Sequence, residues 1–307
     1  MPEFDSQEII LNTKKLLSDS PMYTLTIACP DRVGIVAAVS RFIAERGGWI
    51  VEANHHADGA TGRFFMRNVM TAESLRVRGV TAAAFRQDFA PIAAGFGMDW
   101  ALTEAAQKKR VVLLVSRHDH CLIDLLYRFR SGELAGEVVA VISNHDDLRA
   151  DVEWHGIAYH HVPVPKDAAG KDAAFVQIEQ LVEALHADLL VLARYMQILP
   201  AWFTRKRPGR IINIHHSFLP SFAGARPYAQ AFERGVKLIG ATSHYVTEDL
   251  DEGPIIEQDV VRIDHGDTED DLARYGRDIE KVVLARAVKY HLEDRVLVNG
   301  HRTVVFR

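Results

Sequence analysis

Cysteine is scarce in this chain: Cys29 and Cys121 are the two present in 307 residues, too few for a disulfide framework. That scarcity points to a reducing compartment and a cytoplasmic protein. No apolar run approaches the ~18 residues that cross a bilayer. The first twenty residues are polar and amphipathic without the core of a signal peptide, so no membrane partner is expected. Surplus positive charge is also missing, and a net charge of -5 counts against a nucleic-acid partner. Although there are fifteen histidines, none falls into the His-x-Glu-x-x-His spacing of zinc enzymes. The adjacent pairs His55-His56, His160-His161 and His215-His216 diverge if placed on strands, and no metal is expected. Repeats and low-complexity tracts are absent, and the length suits two domains that each bury a core.

The chain itself opens, from Tyr23 to Cys29, with alternating β-rich sequence that stops at Pro30. Asp31-Arg32-Val33-Gly34 reads as a turn, and Ile35 to Arg46 repeats apolar residues at helical spacing before Gly47-Gly48. Trp49 to Asp58 and Arg63 to Met70 read as a hairpin, Val80 to Phe96 as a helix and Met98 to Thr103 as a strand. The order βαββαβ is the ferredoxin-like split βαβ arrangement, here a domain over residues 20–104. Polar, charged Glu104 to Arg110 marks the boundary.

A second domain, 110–307, follows with a different rhythm. Val111 to Ser116, Glu137 to Ser143, Ala158 to Val164, Leu189 to Ala193 and Arg210 to Ile214 are short β-rich runs between helical or loop segments. This alternation predicts an open, mostly parallel α/β sheet with ligands beyond the carboxyl ends of its strands. Leu238 to Val246 and Pro254 to Ile263 fit an antiparallel extension, and Thr268 to His291 reads as one closing helix. Asn213 and His215 share a face of a strand that ends here, and Asp251 follows in Asp249-Leu-Asp251-Glu-Gly253-Pro. A carboxamide, an imidazole and a carboxylate are the groups needed to move a one-carbon acyl unit.

Two stretches resemble known families. Cys29-Pro-Asp31-Arg32-Val-Gly34-Ile35-Val36 resembles the ACT regulatory domains, whose turn and first helix hold a small amino-acid effector at a subunit interface. On residue grounds alone, Asp31 serves equally as a helix cap and Gly34 as a tight-turn residue. The Asn-x-His-x-Ser-x-Leu-Pro run, with Asp-Leu-Asp-Glu-Gly-Pro some thirty residues on, resembles the folate-dependent formyltransferase family. Within that family the likeness, over about residues 22–307, is to the deformylating branch that carries an ACT domain. It implies hydrolysis of 10-formyltetrahydrofolate to formate and tetrahydrofolate, with no cofactor. It further implies a formate supply for purine synthesis, a balanced one-carbon pool and a homo-oligomer, tetramer or hexamer.

By the same resemblance Asn213, His215 and Asp251 are catalytic, with the residue that takes the proton from water left open between His215 and Asp251. Met196, Gln197 and Leu199, with Thr247, Glu248 and Asp249, would line the pterin pocket. Family members that act on a ribonucleotide carry a glycine-rich phosphate loop after the first strand. Here that place reads Ser116-Arg-His118-Asp-His120-Cys121, without glycine, which argues for water as acceptor. His118, His120, Cys121 and Ser217 are the candidate active-site loop residues. Two departures stand out: arginine at Arg226 where the branch usually has lysine, and alanine at Ala229 where it usually has histidine. The alternatives are a formyltransferase acting on an amine, or a folate-binding regulatory protein with weakened catalysis.

Overall fold

A computed structural model describes residues 21–220 and 227–307. Arg226 therefore lies outside the described residues. The chain forms two compact units that divide between Gln107 and Lys108.

In the first unit, β1 (Met22–Pro30) lies between β3 (Arg63–Thr71) and β4 (Asp99–Glu104), with β2 (Ile50–Asp58) at the far edge, all antiparallel. Helices α1 (Ile35–Glu45) and α3 (Ala82–Phe96) cover one face. Phe42 packs edge-on against Phe85 at 5.0 Å and Phe89 at 5.1 Å. The ferredoxin-like order is as the pattern predicts. Unanticipated is α2 (Ala72–Arg76), a single turn that sinks Leu75 into the core. Gly34 enters α1 at φ 97, a conformation that glycine adopts without strain.

The second unit is built on a seven-stranded sheet in the order β11-β10-β9-β8-β5-β6-β7. Its strands are β5 (Lys109–Val115), β6 (Gly136–Ser143), β7 (Tyr159–His161), β8 (Leu189–Leu192), β9 (Ile211–His215), β10 (Leu238–Tyr245) and β11 (Ile255–Arg262). Strands β5 to β9 pair in parallel, and β10 runs antiparallel to both β9 and β11. Val111 to Val115 are wholly buried, as a strand covered on both faces requires. One cover contains α4 (His120–Ser131) and α9 (Glu269–Leu292), the other α6 (Ala168–Ala184) and Phe203 of α7 (Ala201–Arg205). Thr268 and Asp271 close a reciprocal capping box on α9, which explains why that helix starts there. Short α5 (Arg149–Trp154), α8 (Pro227–Arg234) and a hairpin of β12 (Val296–Asn299) and β13 (Arg302–Val305) complete the unit.

The chain runs outward from β5 in both directions, through β6 and β7 on one side and β8 to β11 on the other. The sheet therefore has a switch point between β5 and β8, where strand ends part and leave a crevice. Among the described residues no helix is long and apolar enough to cross a membrane.

Candidate active site

One hydroxyl gathers the strand ends around that crevice. Ser116, the residue after β5, donates from Oγ to Asn144 Oδ1 at 2.7 Å and accepts from the Met196 N–H at 2.9 Å. Its own N–H donates to the Arg194 carbonyl at 3.2 Å. Arg194 is 8% exposed and sits at φ 64, so the chain turns sharply out of β8 into the segment Met196 to Leu199.

A cavity of about 600 Å3 opens over these ends. Asn213, His215 and Asp251 all line it, the first two from alternate positions of β9. Asp251 Oδ2 lies 3.3 Å from His215 Nδ1, and its Oδ1 lies 3.7 Å from His244 Nε2. His215 holds the Asp251 carboxyl well below the ordinary carboxylate range, against the effect of burial. His215 Nε2 is buried and makes no hydrogen bond with the described residues. An ionised carboxylate that steadies an imidazole beside a carboxamide suits attack on an acyl carbon, because the two donors can take up the oxyanion.

His244 escaped the sequence reading. It stands directly across from Asn213 in the antiparallel pairing of β9 and β10, and its Nδ1 lies 2.9 Å from the Tyr245 carbonyl. A carbonyl only accepts, so Nδ1 carries the proton, and Nε2 is left to accept from Asn213 Nδ2 at 3.2 Å. The Asn213 amide is thereby oriented, with its second N–H unused. The only sequence signal was the period of two that puts Thr242 and His244 on one face of β10. Without the register, nothing tied that face to Asn213.

The remaining predicted residues divide. Met196, Gln197, Leu199, Thr247, Glu248, Asp249 and His118 line the cavity; Met196, at 52% exposed, is no core residue. His120, Cys121 and Ser217 stand back from it. His120 Nε2 bonds Glu280 at 2.7 Å, Cys121 is fully buried, and the Ser217 carbonyl accepts from Thr242 Oγ1 at 2.9 Å. Ala229 is buried and lines the cavity, so the histidine usual at this place in the branch would have faced it.

One expectation needs correcting. His215 and His216 do not diverge: β9 ends at His215, and the two rings lie 5.2 Å apart, both on the cavity. Burial, reinforced by the Arg194 charge, lowers the His216 pKa to about 4, and burial with the Lys109 charge lowers that of His291 to about 3. Both are then neutral in the fold, whereas the unfolded chain protonates them near 6.5. Their contribution is whole above pH 6.5 and shrinks as acid protonates the unfolded state. By pH 5 each removes about 2 kcal/mol. Denaturant melts at pH 7 and pH 5 should differ by that order, and His291→Gln should remove about half of the difference; equal stability at both values contradicts this.

Among the described residues, one group has the donor atoms for a cation: His120, Cys121 and Glu280, within 4.8 Å of one another. Its donors are spent. Glu280 is bonded to His120 and Tyr228 and lies 3.5 Å from Arg194, and burial pushes the Cys121 thiol well up. A cation would have to displace a guanidinium and deprotonate that thiol.

Residues 109–288, more than half the chain, match the formyl transferase family model. Formyltetrahydrofolate deformylase of Bacillus subtilis is 50% identical over 283 residues, 92% of this chain and 93% of that protein. The solved structure of the deformylase from Pseudomonas syringae pv. tomato superposes with a TM-score of 0.92 at 55% identity, over 99% of this chain and 100% of that one. Glycinamide ribonucleotide transformylase 1 of Symbiobacterium toebii, at 33% identity and a TM-score of 0.61, accounts for 65% of this chain and 95% of its own. The transformylase likeness thus leaves a third of the chain unmatched, whereas the deformylase likeness runs through both units. On that ground the chain belongs to the formyltetrahydrofolate deformylase family.

Proposed function

We propose that the protein hydrolyses 10-formyltetrahydrofolate to formate and tetrahydrofolate. The observation that carries the reading is the His215 Nδ1 to Asp251 Oδ2 contact of 3.3 Å beside Asn213 on a cavity of about 600 Å3. A water oxygen adds to the formyl carbon, the carbon–N10 bond breaks, and N10 takes up a proton. The water's proton passes into the His215–Asp251 pair and returns from it to the leaving nitrogen. Asn213, oriented by His244, and His215 hydrogen-bond the oxyanion, each donor contributing about 3 kcal/mol. The pterin lies against Met196, Gln197, Leu199, Thr247, Glu248 and Asp249. No metal or cofactor takes part.

The first unit, on this reading, is an ACT module that binds a small amino acid at Asp31, Arg32, Gly34, Ile35 and Val36. Support comes from exposed Asp31 and Arg32 at a turn that Gly34 enters at φ 97; Ile35 is buried and would offer only its backbone. Copies associate as a tetramer or hexamer, which the exposed apolar Val33 and Trp49 favour. The enzyme works in the cytoplasm and supplies formate for purine synthesis.

Incubation with 10-formyltetrahydrofolate and no acceptor should release formate and tetrahydrofolate in equal amounts, followed by mass spectrometry. Turnover that appears only when an amine is added would sink the hydrolytic reading.

A further inference from the structure

A buried ionised cluster behind the cavity takes no part in the mechanism above. Glu280, 1% exposed on α9, accepts from the Tyr228 hydroxyl at 2.5 Å, bonds His120 Nε2 at 2.7 Å and lies 3.5 Å from Arg194 Nη1. Burial alone would raise its pKa, yet His120, Arg194 and Tyr228 together hold its carboxyl below the ordinary value. The three partners come from the start of α4, the turn just after β8 and the start of α8. A single carboxylate thus ties three elements together behind the cavity.

Tyr228, Arg194, His216 and His118 line the cavity in front of it. The Tyr228 ring is seated where α9 has no side chain: a Cβ on Gly276 would lie 2.1 Å from its Cζ and 2.2 Å from its hydroxyl oxygen. Bonded at the hydroxyl and lodged in that notch, the ring is held in place. Its centroid is 6.3 Å from that of His216, which is 5.2 Å from that of His215. The phenol is therefore one ring removed from the imidazole of the reacting centre. Glu280 spends its charge on two hydrogen bonds and the neighbouring Arg194 guanidinium, so this wall offers no free carboxylate to recruit an amine.

We infer that Tyr228, braced by Glu280 and seated on Gly276, determines acceptor specificity: with His118 it closes the reacting centre to nucleophiles larger than water. The inference rests on the hydrolytic reading above. Water occupies about 30 Å3, and a primary amine with a carbon backbone needs several times that. With the wall opened, an amine nitrogen adds to the formyl carbon in place of water. The carbon–N10 bond breaks, the amine gives up one proton, N10 takes one, and the products are a formamide and tetrahydrofolate.

The test uses the full chain, 10-formyltetrahydrofolate and glycinamide as the probe amine, with formate and N-formylglycinamide measured in the same reaction. The parent should release formate with a negligible share of formylglycinamide. Tyr228→Ala should raise that share at least tenfold, and Tyr228→Phe, which keeps the ring, should stay near the parent. A share in Tyr228→Ala equal to the parent's overturns the inference. Should Tyr228→Ala fail to fold or turn over, His118→Ala is read on the same ratio. It opens the same wall without breaking a bond to Glu280, and an unchanged share there is equally decisive. A parent that makes no formate without glycinamide would instead defeat the hydrolytic reading.

Discussion

Asp251→Asn should lower kcat about 10³-fold or more while 10-formyltetrahydrofolate still binds within about threefold of the parent affinity. The substitution isolates the charge because the backbone at this residue lies at φ 58, a left-handed conformation that asparagine accepts as readily as aspartate. Alanine or glutamate there would add strain and confuse the result. The Asp251 carboxyl, held well below the ordinary carboxylate range by His215, stays ionised throughout the neutral and mildly acidic range. An acid limb in the rate profile above pH 5 must therefore come from another group. Removing the charge leaves His215 Nδ1 only a neutral amide oxygen to donate to, and breaks the pair that carries the proton. Stopped turnover with intact binding, measured by isothermal titration beside a formate assay, is the expected pattern; a near-parental rate would remove Asp251 from the mechanism.

Gly253→Ala is the second large effect, and it acts through the backbone. A Cβ at this position would lie 1.7 Å from the Tyr245 carbonyl oxygen, 2.9 Å from its carbon and 3.3 Å from His244 Nδ1. Nothing flexible stands in the way, so the strand or the loop must move. That carbonyl anchors His244, while the Tyr245 N–H donates to the Pro254 carbonyl at 2.9 Å, so the same displacement loosens the sheet and releases the Asn213 amide. The expected cost is about 3 kcal/mol or more, or a fall in Tm of about 10 °C, together with lost turnover. Gly266→Ala is the control: its Cβ would meet only Asp264 Oδ1 at 3.7 Å, and it should shift stability by less than about 0.5 kcal/mol. Matching melting curves for the two variants would show that the Gly253 contact is soft.

The architecture of each unit was legible because its signals are local. Alternation in Tyr23 to Cys29 and the unbroken apolar run of Val111 to Val115 announce one-sided and two-sided strands from their own composition. The terminal hairpin was overlooked although Gly300-His301 forms its two-residue loop with Gly300 at φ 62, a short-range signal that glycine carries in the open. Of the residues in and behind the cavity, Asn213, His215 and Asp251 could be singled out because their types and spacing belong to one chemistry. His244 and Glu280 could not. Each matters through a partner distant in the chain, Asn213 across a strand pairing and His120 across 160 positions, and such distances exist only once the sheet and α9 are assembled. A buried glutamate in a helix looks, in sequence, like any solvated one.

The single hydroxyl of Ser116 sets the order in which this site can come into being. Its partners Asn144 and Met196 are 28 and 80 positions further along the chain. Its bonds can therefore close only after β5, β6 and β8 have been laid side by side. The crevice is then made by the same event that pairs these central strands. A chain caught before that event would hold much of its secondary structure and none of its chemistry.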